Sequence, residues 1–139
     1  MRFHKEDGQA MVEFALVLPI FILLLGGIID FGWIFGNQIL ANNACRDVTR
    51  YTAINYKVDL VDDDEQIAED RIKAELPAVI FDPDYITADL SIITDINGVE
   101  SANLSLSARI NVLTPILSTF LGDTYTIVTD YTMRIEDNI

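Results

Sequence analysis

The longest uninterrupted apolar part of the chain lies near its N-terminus. No charged side chain occurs in residues 14–29 or in residues 31–45, and Asp30 alone separates the two stretches. Residues 14–36 would measure about 35 Å as a helix, enough to cross a hydrocarbon core roughly 30 Å thick. The pattern predicts one transmembrane helix over about residues 14–36.

A helical period continues beyond this predicted span. Four apolar side chains recur at intervals of three or four residues and mark the expected buried face: Leu40, Ala44, Val48 and Tyr51. We therefore expect the helix to continue as an amphipathic extension over about residues 37–54. A second, short helix is predicted further on, with Asp62 or Asp63 as its N-cap and Pro77 ending it.

The second half of the chain alternates apolar and polar residues with a period of two, which predicts strands. The expected strands are residues 86–92, 104–112 and 125–136. Asn97 and Gly98 suit the turn of a hairpin between the first two, and a loop or short helical turn is expected in residues 115–122. Each strand has one apolar face, so we predict an α+β fold: a long N-terminal transmembrane α-helix that continues into a small domain with a short second helix and a three-stranded antiparallel sheet covered by the helix extension.

Charge is distributed unevenly along the 139 residues. The formal net charge is −13, and residues 37–139 hold seven Lys and Arg against eighteen Asp and Glu. Such a surface repels nucleic acid and anionic lipid, so neither is an expected partner. Arg2 and Lys5 precede the span and favour an N-terminus inside the cell, which predicts a single-pass protein of the cytoplasmic (inner) membrane with an extracytoplasmic domain over residues 55–139.

Residues suited to catalysis or metal binding are sparse. The one histidine, His4, precedes the span, so the domain can hold neither a histidine-based triad nor a histidine-ligated metal. Three acidic clusters offer either a calcium site or merely a helix start, a turn and a hairpin loop: residues 62–65, Asp82 with Asp84, and Asp95 with Asn97 and Glu100. None has the spacing of an EF-hand loop. We predict no enzyme, no cofactor and no metal.

The apolar segment itself contains several unusual residues. Glu13 stands at its start, where an unpaired carboxylate is tolerated only near the headgroups. Pro19 removes a helical hydrogen bond and predicts either a kink or a loosened start of the helix. Gly32 and Gly36 form a G-x-x-x-G pattern, which indicates either close helix packing or local softening of the helix. Asp30 either marks the outer edge of the membrane or seeks a basic residue in another subunit.

Cys45 is the only cysteine. An internal disulfide is therefore impossible, and the thiol is either buried and free or bonded to a second subunit.

Two short motifs resemble a known family. The segment GQAMVEFALVLP at residues 8–19, followed by GIIDFG at residues 27–32, resembles the TadE-like pseudopilins of tight-adherence (Flp, type IVc) pilus systems. The likeness is close over residues 8–51, and the closing TMRIE at residues 132–136 is similar to the family's last strand.

The resemblance implies a function and a set of partners. A prepilin peptidase would cut after Gly8, so that residues 1–8 form a leader, Gln9 becomes the new N-terminus and residues 9–54 the N-terminal helix. Glu13 would pair with the N-terminal ammonium of a neighbouring subunit. Phe14 stands where the short major pilins carry tyrosine, which favours a minor or initiating subunit.

The implied partners are the prepilin peptidase, the major pilin, a companion pseudopilin and the pilus membrane platform, in a homo- or hetero-oligomer that serves cell adhesion. Two other classes compete with this one. An uncleaved bitopic protein could tether an adhesive or ligand-sensing domain, in which case Gly8 is incidental. A membrane-tethered hydrolase would need two acidic side chains to converge.

Overall fold

A single helix accounts for the first range of residues that the structure describes. The computed structural model describes residues 5–55 and 64–135, and α1 (Lys5–Asn55) runs through the first of these ranges without interruption, with Pro19 inside it. The elements that follow are α2 (Asp64–Glu75), a 3-10 turn (Pro83–Tyr85), β1 (Thr87–Thr94), β2 (Glu100–Asn111), α3 (Pro115–Leu121) and β3 (Thr124–Arg134). The predicted fold class is confirmed. The predicted N-caps Asp62 and Asp63 lie outside the described residues.

The three strands form one antiparallel sheet in the order β1-β2-β3. Ala88 lies opposite Leu106, and Leu104 opposite Tyr131, so the apolar positions of all three strands share one face. The predicted hairpin joins β1 to β2, and Gly98 in its turn has φ +78°, a conformation that glycine adopts without strain. The predicted helical turn between β2 and β3 is α3.

The second half of α1 covers the apolar face of the sheet. Ala44 and Val48 are buried in one cluster with Leu104, Leu106 and Ile127, as the periodicity predicts. This packing makes the long helix and the domain one structural unit.

The predicted face of α1 is wrong at its margins. Leu40 is 42% exposed, and Tyr51 is 37% exposed with the guanidinium of Arg71 over its ring at 3.4 Å from the ring centroid. Ala41 and Cys45 are fully buried instead. Small side chains on this face allow the helix to approach the sheet closely, so packing selects them over the larger residues beside them.

The direction of α1 across the sheet follows from three contacts. The indole Nε1 of Trp33 donates to the carbonyl oxygen of Asn111 at the end of β2. Cys45 lies beside Leu104 in the middle of that strand. Ala53 packs with Ala102 near the hairpin. Residues of α1 before Trp33 therefore extend beyond the end of the sheet at which α3 lies.

Candidate functional site

The N-terminal half of α1 is an exposed apolar helix. Every residue from 8 to 25 is exposed, including large side chains such as Phe14 at 64% and Leu24 at 58%. Water is a poor solvent for such a surface, because removing each Å² of apolar area from water lowers the free energy by about 25 cal/mol. Among the described residues, one helix is long and apolar enough to cross a membrane, and it is this one. The helix suggests a single-pass membrane protein.

Gly8, Gln9 and Glu13 lie on the first turns of this exposed helix. The Nε2 of Gln9 donates to Oε1 of Glu13 at 3.0 Å, and both side chains are exposed. An ionised carboxylate can accept about four hydrogen bonds, so the amide of Gln9 fills only part of its capacity. The amide is also neutral, so among the described side chains no cation balances a charge on Glu13. Space is open around Gly8, where an added Cβ would meet nothing within 4 Å.

Gly32 and Gly36 lie on the outer face of α1, away from the sheet. Both are exposed, and an added Cβ at either position would meet nothing within 4 Å. Against the residues that the structure describes, therefore, the two glycines do not serve close packing. They leave a stretch of the helix surface without side chains, near the exposed Ile28 and Phe35. Packing against a helix of another subunit stays a prediction for these glycines, as does a kink at Pro19.

Asp30 has partners that the sequence did not reveal. It is fully buried, and its Oδ1 accepts hydrogen bonds from the backbone N–H groups of Leu113 and Thr114, each at 3.0 Å. Its Oδ2 accepts a hydrogen bond from the hydroxyl of Thr114. Neither expectation for Asp30, an outer-edge marker or a partner in another subunit, included this bond within the chain. The sequence signal near this contact was Thr114 before Pro115, a pair that is typical of a helix start and marks where α3 begins.

The junction around Asp30 brings the outer part of the predicted span against the domain. Ile34 is 9% exposed and belongs to the core cluster. Asn37 is buried, and its Nδ2 donates to the carbonyl oxygen of Trp33 at 3.0 Å. Two environments thus meet at Asp30: before it α1 is largely exposed, and after it one face of α1 packs on the sheet.

Cys45 is buried at the centre of the contact between α1 and the sheet. Its Sγ lies 3.4 Å from the carbonyl oxygen of Leu104, to which the thiol donates, and Thr49 donates its hydroxyl to the carbonyl of Cys45 at 2.7 Å. Burial raises the pKa of the Cys45 thiol from 9.0 to about 11. This geometry favours a buried free thiol over a disulfide to a second subunit.

The acidic clusters serve local turns where the structure describes them. Asp82 accepts from the backbone N–H of Asp84 and caps the 3-10 turn. Asp95 accepts from the backbone N–H groups of Asn97 and Val99, both at 2.8 Å. In residues 5–55 and 64–135, no three His, Cys, Asp or Glu side chains come together as metal ligands. The side chains of the cluster at residues 62–65 are outside what the structure describes.

One comparison with known proteins bears on this site. The model of the family described as TadE-like protein matches residues 8–50 of the chain. The matched segment contains Gly8, Glu13, Pro19, Asp30 and the exposed half of α1, and it confirms the resemblance that the two motifs indicate. No curated protein and no solved structure matches the chain significantly. The family match suggests a structural, non-enzymatic protein associated with a tight-adherence pilus.

Proposed function

We propose that this chain is a minor pilin or pseudopilin of a tight-adherence (type IVc) pilus, processed after Gly8 and assembled through its N-terminal helix. The observation that carries the proposal is where the family match falls on the structure. The match covers residues 8–50, which include the exposed apolar stretch of α1 at residues 8–25 with Glu13 near its start.

Processing after Gly8 fits the local chemistry. Gly8 is exposed and has no side chain, so a peptidase can approach the backbone closely at this position. Cleavage of the bond between Gly8 and Gln9 would create an ammonium group at Gln9, one helical turn before Glu13. A positive charge would then exist at the level of Glu13, which has no cationic partner among the side chains that the structure describes.

Pairing of Glu13 with the ammonium of a neighbouring subunit would explain a carboxylate at the start of an apolar helix. A buried charge is tolerated in hydrocarbon or in a filament core only when it is partnered. The bond from Gln9 to Glu13 satisfies part of the carboxylate in the isolated subunit, and assembly would add the missing cation. Glu13 would thereby set the register between subunits.

The proposed topology places the N-terminus in the cytoplasm and the α+β domain outside the cytoplasmic membrane. We assign the domain a structural role, which is supported by two of its acidic side chains, Asp82 and Asp95, serving local turns. The proposed partners are the prepilin peptidase, the major pilin, a companion pseudopilin and the membrane platform of the pilus.

Intact mass and N-terminal sequencing of the chain purified from its own membrane test the proposal. The expected mature chain begins at Gln9. The Gly8→Ala variant is expected to stay unprocessed, and Gly27→Ala is the matched control, because an added Cβ there also meets nothing within 4 Å. A chain that still contains residues 1–8 in cells with an active prepilin peptidase would contradict the proposal and favour an uncleaved tether.

Substitution of Glu13 separates processing from assembly. The Glu13→Gln variant keeps the size and hydrogen bonding of the side chain but removes its charge, so we expect normal cleavage and a loss of most of the subunit from the sheared pilus fraction. Glu13→Asp, which keeps the charge, is expected to restore part of it. Normal assembly of Glu13→Gln would remove the proposed charge pair.

A further inference from the structure

The position of α3 is unusual, because α3 extends from the end of the sheet from which the apolar helix emerges. Asn111, the last residue of β2, pairs with Thr124, the first residue of β3, and the N–H of Val112 donates to the carbonyl of Asp123 at 3.0 Å. The chain therefore leaves the sheet and returns to it at one place. Residues 112–123, which include α3, form a loop beyond the end of the sheet, and we call this loop the excursion.

This excursion lies against α1 at the N-terminal border of the part of α1 that packs on the sheet. Asp30 holds the backbone of Leu113 and Thr114, and α3 contacts α1. Gly26, one helical turn before Asp30 on the same face, is buried, whereas every residue from 8 to 25 is exposed. The cover over α1 thus reaches about one turn past Asp30 toward the apolar half of the helix.

The outer surface of the excursion is apolar. Phe120 is 75% exposed, Leu113 is 51% exposed and Leu121 is 47% exposed. We refer to these three side chains as the α3 ridge. Residues 112–122 include no charged residue, although residues 37–139 as a whole carry eleven more acidic than basic side chains (eighteen against seven). A ridge of this kind at the end of an acidic domain is suited to a neutral, apolar environment.

The polar groups of α3 are also largely paired within the segment. The hydroxyls of Ser118 and Thr119 donate to the carbonyl of Pro115 at 3.1 and 2.9 Å, and the N–H of Gly122 donates to the carbonyl of Ser118 at 2.8 Å. Thr114 caps the N-terminus of the helix. Internal pairing of this kind lowers the free-energy penalty of moving a backbone out of water.

We propose that the α3 ridge inserts into the outer interface of the lipid bilayer, beside the point where α1 leaves it. The inference rests on the proposed membrane anchor, because the bilayer is the apolar phase that continues from the exposed half of α1. Aromatic and aliphatic side chains on a short amphipathic element are the usual means of such interfacial insertion. The ridge gives the domain a second attachment to the membrane surface and fixes its orientation about α1.

Tryptophan fluorescence in vesicles tests the insertion. Three variants are made in a Trp33→Phe background so that each has one tryptophan: Phe120→Trp on the ridge, Leu24→Trp in the apolar helix and Ile96→Trp in the β1–β2 hairpin. Ile96 is fully exposed at the opposite end of the sheet and is the matched control. Each full-length chain is reconstituted into phosphatidylcholine vesicles that contain lipids brominated either near the headgroup or deep in the acyl chain.

We expect the Phe120→Trp variant to be quenched several-fold more than Ile96→Trp, and most by bromine near the headgroup. Leu24→Trp is expected to respond to the deeper bromine. If Phe120→Trp behaves like Ile96→Trp while Leu24→Trp is quenched, the ridge does not touch lipid and the inference is wrong, although the anchor stands. The emission of Phe120→Trp could instead be blue-shifted but quenched by neither brominated lipid, with a blue shift that increases with the protein-to-lipid ratio. That result would assign the ridge to a contact with a second copy of the chain and would contradict the insertion.

An unquenched Leu24→Trp variant would overturn both the anchor and the insertion. Processing at Gly8 is measured separately by mass, so failure of the ridge alone leaves the proposed function intact.

Discussion

Asp30 and Thr114 form two hydrogen bonds across 84 residues of sequence: the backbone N–H of Thr114 donates to Oδ1 of Asp30 at 3.0 Å, and its hydroxyl donates to Oδ2. Thr114 is the N-cap of α3, and Asp30 lies where α1 passes from its exposed half to its packed half. The pair therefore fixes the end of the sheet to one level of the long helix. If Glu13 sets the register between subunits, as proposed, this contact would transmit that register to the domain.

Loss of the Asp30 carboxylate is expected to loosen this junction. Asp30→Ala leaves the N–H groups of Leu113 and Thr114 without their acceptor, and we expect the free energy of unfolding of the domain to fall by about 2 to 4 kcal/mol. Denaturant unfolding of the full chain in micelles, followed by Trp33 fluorescence, measures it. Asp30→Asn keeps an oxygen acceptor and should lose much less; equal losses for the two variants would contradict the assigned hydrogen bonds.

Much of the fold could be predicted from local pattern. The alternation through Leu104, Leu106 and Ile110 identifies β2 because a sheet covered on one side needs one apolar face. Gly98 identifies the hairpin because few other residues adopt its positive φ. The face of α1 was less predictable. Leu40 and Tyr51 satisfy the helical period as well as Ala41 and Cys45 do, and only the sheet's close approach selects the smaller pair.

The site was predictable in part, for a similar reason. Gly8 and Glu13 lie within one short motif, so a sequence can display them together. The contacts of Asp30 depend on a loop that follows 83 residues later, and no local periodicity encodes that distance. The apolar character of the α3 ridge is visible in the sequence, but its place beside the exit of α1 emerges only from the sheet register.

The Cys45 thiol is expected to react slowly in the folded chain. A pKa raised from 9.0 to about 11 lowers the thiolate fraction at neutral pH about 100-fold, and burial hinders access further. Mass spectrometry after timed alkylation, with and without denaturant, measures the protection. An added Ile96→Cys thiol, at a fully exposed position, gives the reference rate. Alkylation of Cys45 at that rate in the folded chain would contradict its burial.

The same thiol makes stability depend on alkaline pH. Because burial raises the folded-state pKa, the neutral thiol's contribution is fully present below about pH 9 and is lost as the pH rises toward about 11. Wild-type stability should therefore fall more steeply over this range than that of Cys45→Ala, which is less stable at neutral pH but has no thiol to titrate. Parallel curves for the two chains would show that Cys45 does not titrate differently on folding.

Gly32 and Gly36 offer a test of the outer face of α1. Nothing lies within 4 Å of an added Cβ at either site, so Gly32→Leu and Gly36→Leu should leave the domain folded, with stability unchanged or raised by up to about 1 kcal/mol through helix propensity. If the glycines pack against a neighbouring subunit, leucine should reduce recovery in the pilus fraction, whereas Gly32→Ala should reduce it less. Full recovery of both leucine variants would leave local softening of the helix as the glycines' role.

Asp95 is expected to make the stability of the hairpin turn depend on pH in the acidic range. Its Oδ1 accepts from the N–H groups of Val99 and Asn97, and the bond from Val99 is the main reason that the pKa of the carboxyl lies below its usual 3.8. Because the folded-state pKa is depressed, this contribution to stability is present above about pH 4 and is lost as the pH falls through the folded-state value.

Asp95→Asn keeps an acceptor oxygen but cannot titrate. Unfolding of both chains, measured from pH 6 to pH 2, should show the wild type losing more stability below pH 4. Identical profiles would mean that the turn does not bind the ionised carboxylate preferentially. The sheet end near Ile96 would then be held by the β1–β2 pairing and by the backbone hydrogen bonds that join Asp95 to Gly98 and Val99.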